Sequence, residues 1–384
     1  METQIMPGHT LADVLYAHQS FALQKATCQV QQKAINDIIH CRTAYFGGYI
    51  AKCSHCGHHQ VFYKSCRNRN CPKCQNSKQI VWVDKLKASV LPVKHFHLVF
   101  TIPDSLNALF YLNQQICYGL LFKAASKALL KVLANHTGAS GGAVAALHTW
   151  GQTINYHPHL HMIVPAGGLD SDQMQWIHTQ KSFLLPVKVL SGVFRAELMN
   201  LIKLQWIAAK LKIPSRYNPD FEVFKKEFYL KKWVVFAEKP FKGPDQIINY
   251  LGKYINRVAI SNSRIKAADS NTVTFNYKNY KTAEIALTMT LNAEEFISRF
   301  MMHILPQGFY KIRYFGIYAQ CNTDFKNQCF ALLDDAPFIP TYEGLPLPEV
   351  IRMETGIDLC VCNKCKQGKM IIIASFHNGH APFT

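Results

Sequence analysis

With 384 residues, 49% hydrophobic and 12% aromatic, the chain is long enough for two or three domains with packed cores. No apolar run reaches the roughly 18 residues that span a bilayer, and METQIMPGHTLADVL lacks the basic-then-apolar order of a secretory signal, so the expectation is a cytoplasmic protein. Lys plus Arg number 42 against 24 Asp plus Glu, and the resulting +18 points to a polyanionic partner; nucleic acid is expected rather than a membrane surface, because no basic amphipathic helix carries a clean apolar face.

Residues 10–40 read as helical, with Leu11, Val14, Leu15, Phe21 and Leu23 as the apolar positions. Residues 41–76 are rich in Cys, Gly and Asn and lack apolar periodicity, so that stretch needs a staple to fold. A linking helix is expected over 78–91, then a buried strand, HLVFTIP, over 97–103, closed by Pro103. Residues 105–135 read as helical. AVAALHTWGQ (143–152) and HLHMIVPAGG (159–168), joined by the short polar turn INYHP, carry the signature of a hairpin. An amphipathic helix follows over 186–211, a strand over 233–241, a helix from Gly243-Pro244 to about Val258, and a strand, TVTFNYK, over 272–278. The order β, α, hairpin, α, β, α predicts an α+β fold, an antiparallel sheet with helices packed on it.

Six of the 13 cysteines fall between Cys41 and Cys74, and three more between Cys360 and Cys365. In a chain read as intracellular, that clustering points to metal rather than disulfides. Cys53-x2-Cys56 and Cys71-x2-Cys74 each place two thiolates on one knuckle, and two knuckles close a tetrahedral, structural Zn2+ site. Cys41, His58 and Cys66 offer a second site. Cys362, Cys365, His377 and His380 offer a further one near the C-terminus, with unusually tight His spacing. Between the first knuckles, Arg67 and Arg69, followed by Lys73, form a basic loop on a rigid frame, suited to DNA phosphates.

His159-Leu160-His161 lies on a predicted strand, where period two turns both imidazoles to one face and Leu160 to the core. Two parallel imidazoles are half of a metal site. Gln152, seven residues earlier on the partner strand, is the candidate third ligand, and His148, of the same parity, the alternative. His95-Phe96-His97 has the same form but no equally simple partner and reads as structural or as support for a ligand. Tyr250 and Tyr254 are four apart on a predicted helix, so their hydroxyls share one face, with Lys253 and Arg257 adding positive charge. A phenolate can attack a phosphodiester and conserve its energy as a phosphotyrosine.

In this order, CRTAYFGGYIAKCSHCGHHQ, SCRNRNCPKCQ, FHLVFTIP, LHTWGQTINYHPHLHMIVPAGG, YLGKYINRVAISNSRI and LPQGFYKIRYFGIYA resemble the two-tyrosine HUH transposases of the insertion sequence ninety-one family, over about residues 30–320. The resemblance implies an HUH endonuclease core behind a small zinc-binding domain, with His159 and His161 as ligands of Mg2+ or Mn2+ and Tyr250 and Tyr254 as nucleophiles. It implies single-stranded DNA cleaved to a 5′-phosphotyrosine and a free 3′-hydroxyl. The chain departs at Asn70 and Asn256, where family members often carry His, and its last 60 residues match least.

The reading is therefore a rolling-circle DNA transposase, bacterial, cytoplasmic and nucleoid-associated, that nicks and joins single-stranded element ends. Its expected layout is a helical and zinc-binding DNA-binding domain over 1–92, a catalytic domain over 93–265 with a helical insertion at about 170–230, and a C-terminal region over 266–384. The rivals are a relaxase or replication initiator of the same chemistry, and a non-catalytic zinc-containing nucleic-acid-binding protein. No Walker-type glycine loop is present, so ATP is not expected.

Overall fold

The computed structural model describes residues 9–179, 185–238, 246, 258–279 and 284–377. The N-terminal helical run is three helices, α1 (Leu11–Ala17), α2 (Gln19–Lys25) and α3 (Gln29–Ile39). Thr10 and Asp13 close a reciprocal capping box that starts α1. The break before α3 is held by Gln31, whose Oε1 accepts from the backbone N and hydroxyl of Thr27 at 2.8 and 3.1 Å. β1 (Gly48–Cys53) and β2 (His59–Tyr63) form a hairpin, and α4 (Pro72–Lys87) starts at a proline, whose missing N–H costs nothing in a first turn.

The central sheet contains β3 (His95–Thr101), β4 (Gly142–Trp150), β5 (Tyr156–Pro165), β8 (Val234–Ala237) and β12 (Ile312–Gly316), in the order β12-β4-β5-β3-β8. Every pairing is antiparallel. The expected β4–β5 hairpin lies at its centre. β12, which periodicity did not show, adds an edge from the LPQGFYKIRYFGIYA motif. Helices α5 (Asn107–Leu112), α6 (Gln114–Thr137), α7 (Val187–Ile207) and α8 (Phe221–Tyr229) cover one face. That face presents Phe96, Leu98 and Phe100 of β3, Ala143, Ala145 and Leu147 of β4, and Leu160, Met162 and Val164 of β5, all in one apolar core. Small residues on α6, Ala124, Ala125 and Ala128, belong to the same core and permit close approach of the helix.

A small hairpin, β6 (Gly167–Leu169) and β7 (Trp176–His178), follows β5. The strand expected at 272–278 is not in the central sheet; it is β10 (Thr272–Asn279), between β9 (Ile265–Ala268) and β11 (Glu284–Asn292) in a sheet of three. With α9 (Ala293–Met301), this sheet shares a core with α1 and α3: Leu11, Leu15, Ile35 and Ile38 join Val273, Phe275, Phe296 and Phe300. Elements expected in the first and last regions are thus packed together. Helices α10 (Thr323–Leu332) and α11 (Leu347–Thr355) precede β13 (Met370–Phe376), which pairs with β1. Among the described residues no helix is long and apolar enough to cross a membrane.

Two buried histidines are structural. His95 donates from Nδ1 to the Val93 carbonyl (2.8 Å) and accepts at Nε2 from the Tyr318 hydroxyl (2.8 Å). His303 accepts at Nδ1 from the Thr149 hydroxyl (3.1 Å) and donates from Nε2 to the Ile154 carbonyl (2.9 Å). Burial pushes both down to about 4. An unfolded histidine takes its proton near pH 6.5, so between about 6.5 and 4 the unfolded chain binds more protons than the folded one. Their contribution is therefore complete above 6.5 and is lost as pH falls toward 4. His303→Gln should unfold with a shallower pH dependence over that window than the native chain in denaturant titrations; equal slopes would contradict this account of His303.

Candidate active site and metal centres

β5 turns His159 and His161 to the face opposite α6, while Leu160 is fully buried in the core beneath. Directly across the hairpin, His148 of β4 pairs with His159. The ligand nitrogens of His148, His159 and His161 lie within 4.8 Å of one another. His159 Nε2 and His161 Nε2 are 3.1 Å apart. Two nitrogens about 2.1 Å from one ion at adjacent octahedral corners would stand about 3 Å apart, so the donor set fits a divalent metal. His159 donates from Nδ1 to the His157 carbonyl at 2.7 Å, which leaves the lone pair on Nε2. Burial pushes His159 down to about 4, so it is neutral at physiological pH, as a ligand must be.

Gln152, read as the candidate third ligand, lies beyond the end of β4 in the turn, where its carbonyl accepts from Arg264. The third nitrogen on the histidine face is that of His148, the alternative. The His148 ring is fixed by stacking on Trp150, with centroids 4.8 Å apart and an interplanar angle of 17°.

Behind His161 stands a pair that sequence reasoning only half saw. His97 Nε2 is 2.8 Å from His161 Nδ1, and His97 Nδ1 is 3.0 Å from Glu238 Oε2. If His161 ligates through Nε2, its Nδ1–H donates to His97 Nε2, while His97 Nδ1 faces the Glu238 carboxylate at ion-pair distance. Such a chain fixes tautomer and ring angle and raises ligand basicity. The register carried a signal for His97: Val99 pairs with His161, which puts His97 on the same face two residues away. For Glu238, just past β8, there was none.

Tyr250, Tyr254, Lys253 and Arg257 lie outside the described residues. Glu238 holds His97, while Val258 and Ala259 line a cleft with Trp150, His303 and Lys311.

The cysteines form two groups, and not the expected ones. Cys41, Cys66, Cys71 and Cys74 come together, with Cys74 Sγ 3.5 Å from Cys41 Sγ and 3.6 Å from Cys66 Sγ. Hydrogen bonds from Cys66 and Cys71 hold the Cys41 thiol down at about 7, toward the thiolate that binds zinc. Cys53 and Cys56 are instead with Cys362 and Cys365. The pairing of Cys53 and Cys56 with Cys71 and Cys74 is thereby corrected. The first knuckle is the end of the β1–β2 hairpin, which carries it away from α3 and α4. His58, offered with Cys41 and Cys66, is on that hairpin and outside the group. His377 is likewise outside it, and His380 lies beyond the described residues.

Arg69, expected to contact DNA, binds the chain: its guanidinium donates to the carbonyls of Phe309 (2.6 Å), Leu305 (3.0 Å) and Pro306 (2.7 Å). Arg67 is exposed and Lys73 partly so.

Residues 142–324 match a family model described as a putative transposase, and residues 14–102 one described as a transposase zinc-binding domain. Over 98% of its length the chain is 38% identical to the putative transposase y4qJ of Sinorhizobium fredii, covering 97% of that protein. The chain belongs to the insertion sequence ninety-one family of transposases. It is also 26% identical to the transposase for insertion sequence element IS801 of Pseudomonas savastanoi pv. phaseolicola, over 82% of this chain and 78% of that one. No solved structure matches it significantly. In this transposase the three histidines fall inside the first match, and Cys41, Cys66, Cys71 and Cys74 inside the zinc-binding match, where their four sulfurs fit a structural zinc ion. As a transposase it acts on DNA.

If His97 and Glu238 position His161, His97→Ala should weaken Mn2+ binding by about 10- to 100-fold in calorimetric titration and leave the zinc content unchanged. Glu238→Gln should fall between that variant and the native chain. Native Mn2+ affinity in both would rule out the positioning role.

Proposed function

We propose that this transposase nicks and rejoins single-stranded DNA at the ends of its element through 5′-phosphotyrosine intermediates, in a rolling-circle route. The observation that carries the reading is the convergence of three imidazoles, His148, His159 and His161, on one sheet face, with Glu238 behind them against His97. His148, His159 and His161 would hold the cation, and an all-nitrogen set suits Mn2+ better than the harder Mg2+. A cation there supplies charge neutralisation at the scissile phosphate.

The chain's own chemistry is a pair of transesterifications. The phenolate oxygen of Tyr250 or Tyr254 attacks phosphorus, the bond from phosphorus to the 3′-oxygen breaks, and that oxygen leaves as a hydroxyl after taking a proton. A 3′-hydroxyl attacking the phosphotyrosine reverses the step, joins the strand and restores the tyrosine. With two tyrosines a second strand can be cleaved before the first link is resolved. Arg67 and Lys73, with Lys253 and Arg257, are proposed phosphate contacts. Tyr310, 80% exposed, suits base stacking. A flexible single strand can turn its phosphate into a recessed site, whereas a relaxed duplex resists.

Incubated with Mn2+ and single-stranded DNA carrying the element's ends, the native chain should give a covalent adduct on denaturing gels. Tyr250→Phe/Tyr254→Phe should abolish it while DNA binding persists, with a salt slope of about −0.7 per phosphate neutralised. Adducts from the double variant, or efficient cutting of relaxed linear duplex, would overturn the reading.

A further inference from the structure

The three-stranded sheet β2-β1-β13 joins the two ends of the chain, yet few of its side chains are buried. Ile50, Ala51, Cys53 and Phe376 are, while Ile371, Ile372 and Ile373 are more than half exposed. A sheet of three short strands with so little core is not stable by itself. What closes it is at one end, where Cys53 and Cys56 meet Cys362 and Cys365, 306 residues apart in the case of Cys56 and Cys362.

The geometry of that end is a pair of matched knuckles. In each, two residues separate the cysteines and the residue after the second adopts a left-handed conformation: Gly57 at φ 69° and Lys366 at φ 56°. Backbone N–H groups point at sulfur in both, from His55 and Cys56 to Cys53 Sγ (3.4 and 3.5 Å) and from Gly368 to Cys365 Sγ (3.4 Å). The knuckles are laced together, Ser54 N to the Lys369 carbonyl at 2.9 Å and Lys369 N to Ser54 Oγ at 3.0 Å. They approach so closely that a Cβ on Gly368 would stand 2.5 Å from Cys53 Sγ and 2.7 Å from His55 N.

Across the gap, Cys53 Sγ lies 3.6 Å from Cys365 Sγ and Cys56 Sγ 3.8 Å from Cys362 Sγ. Sulfurs about 2.3 Å from a central ion at tetrahedral corners are about 3.8 Å apart. A disulfide would need about 2.05 Å. We propose that Cys53, Cys56, Cys362 and Cys365 hold a second structural zinc ion, which clamps the C-terminal strand β13 onto the N-terminal hairpin. Cys362 and Cys365 lie outside the matched zinc-binding domain, so this centre is built half from the end of the chain. Closing so long a loop, it restrains the unfolded chain strongly.

The test is spectroscopic, on the full chain with its zinc exchanged for Co2+. Sulfur-to-cobalt charge-transfer absorbance, to which a histidine-only site contributes nothing, should correspond to two tetrathiolate ions per chain. In Cys362→Ser/Cys365→Ser it should fall by half. Intensity for a single ion in the native chain would overturn the proposal, as would an unchanged signal in the double variant or a disulfide among these four cysteines in peptide mapping. Should the variant fail to fold, the native intensity decides the matter.

Discussion

Successive side chains of a strand leave it on opposite faces, and β5, hydrogen-bonded to β4 on one side and β3 on the other, cannot slip by one residue without exchanging them. A slip would drive His159 and His161 into the core beneath α6 and bring Leu160 and Met162 out. Burial of Leu160, Met162 and Val164 therefore sets the direction of the two imidazoles more firmly than any contact they make themselves. The same pleat on β4 brings up His148, and on β3 it brings up His97. One apolar core thus aims four histidines from three strands.

Orientation then depends on what stands behind each ring. His159 is held by the His157 carbonyl, His161 by His97 and Glu238, and His148 by Trp150. Trp150 in turn packs against the core built from the N-terminal helices, α9 and the cysteines of the first zinc centre. Arg69, on the loop between Cys66 and Cys71, ties that centre to the chain just before β12. The zinc-binding segment is thereby part of the frame around the histidine face, and its role reaches beyond the DNA contacts that its charge led one to expect.

What could be read from the residues was local. Period two showed the opposite faces of Leu160 and its neighbouring histidines, and the polar turn INYHP showed the hairpin. Spacing within each knuckle was equally plain. What spacing could not show was which knuckle meets which, because that depends on β13 returning to β1 across most of the chain. A count of sulfurs held a clue: the pairs at 53/56, 71/74 and 362/365 with the single Cys41 and Cys66 make eight ligands, enough for two closed sites. β12 was missed because charged and aromatic residues interrupt the alternation in Ile312-Arg313-Tyr314-Phe315. Gln152 and His148 have the same parity, and the sequence does not show the irregular register between His148 and Trp150.

The central claim is that His148, His159 and His161 form one divalent-metal site on the sheet. Electron paramagnetic resonance titration of the zinc-loaded full chain with Mn2+ measures it directly, because bound Mn2+ loses the sharp signal of the free ion. The account expects one Mn2+ bound per chain, lost in His159→Ala/His161→Ala and much weakened in His148→Ala, with zinc content unchanged. Absence of Mn2+ binding by the native chain, or undiminished binding by the double variant, would contradict it.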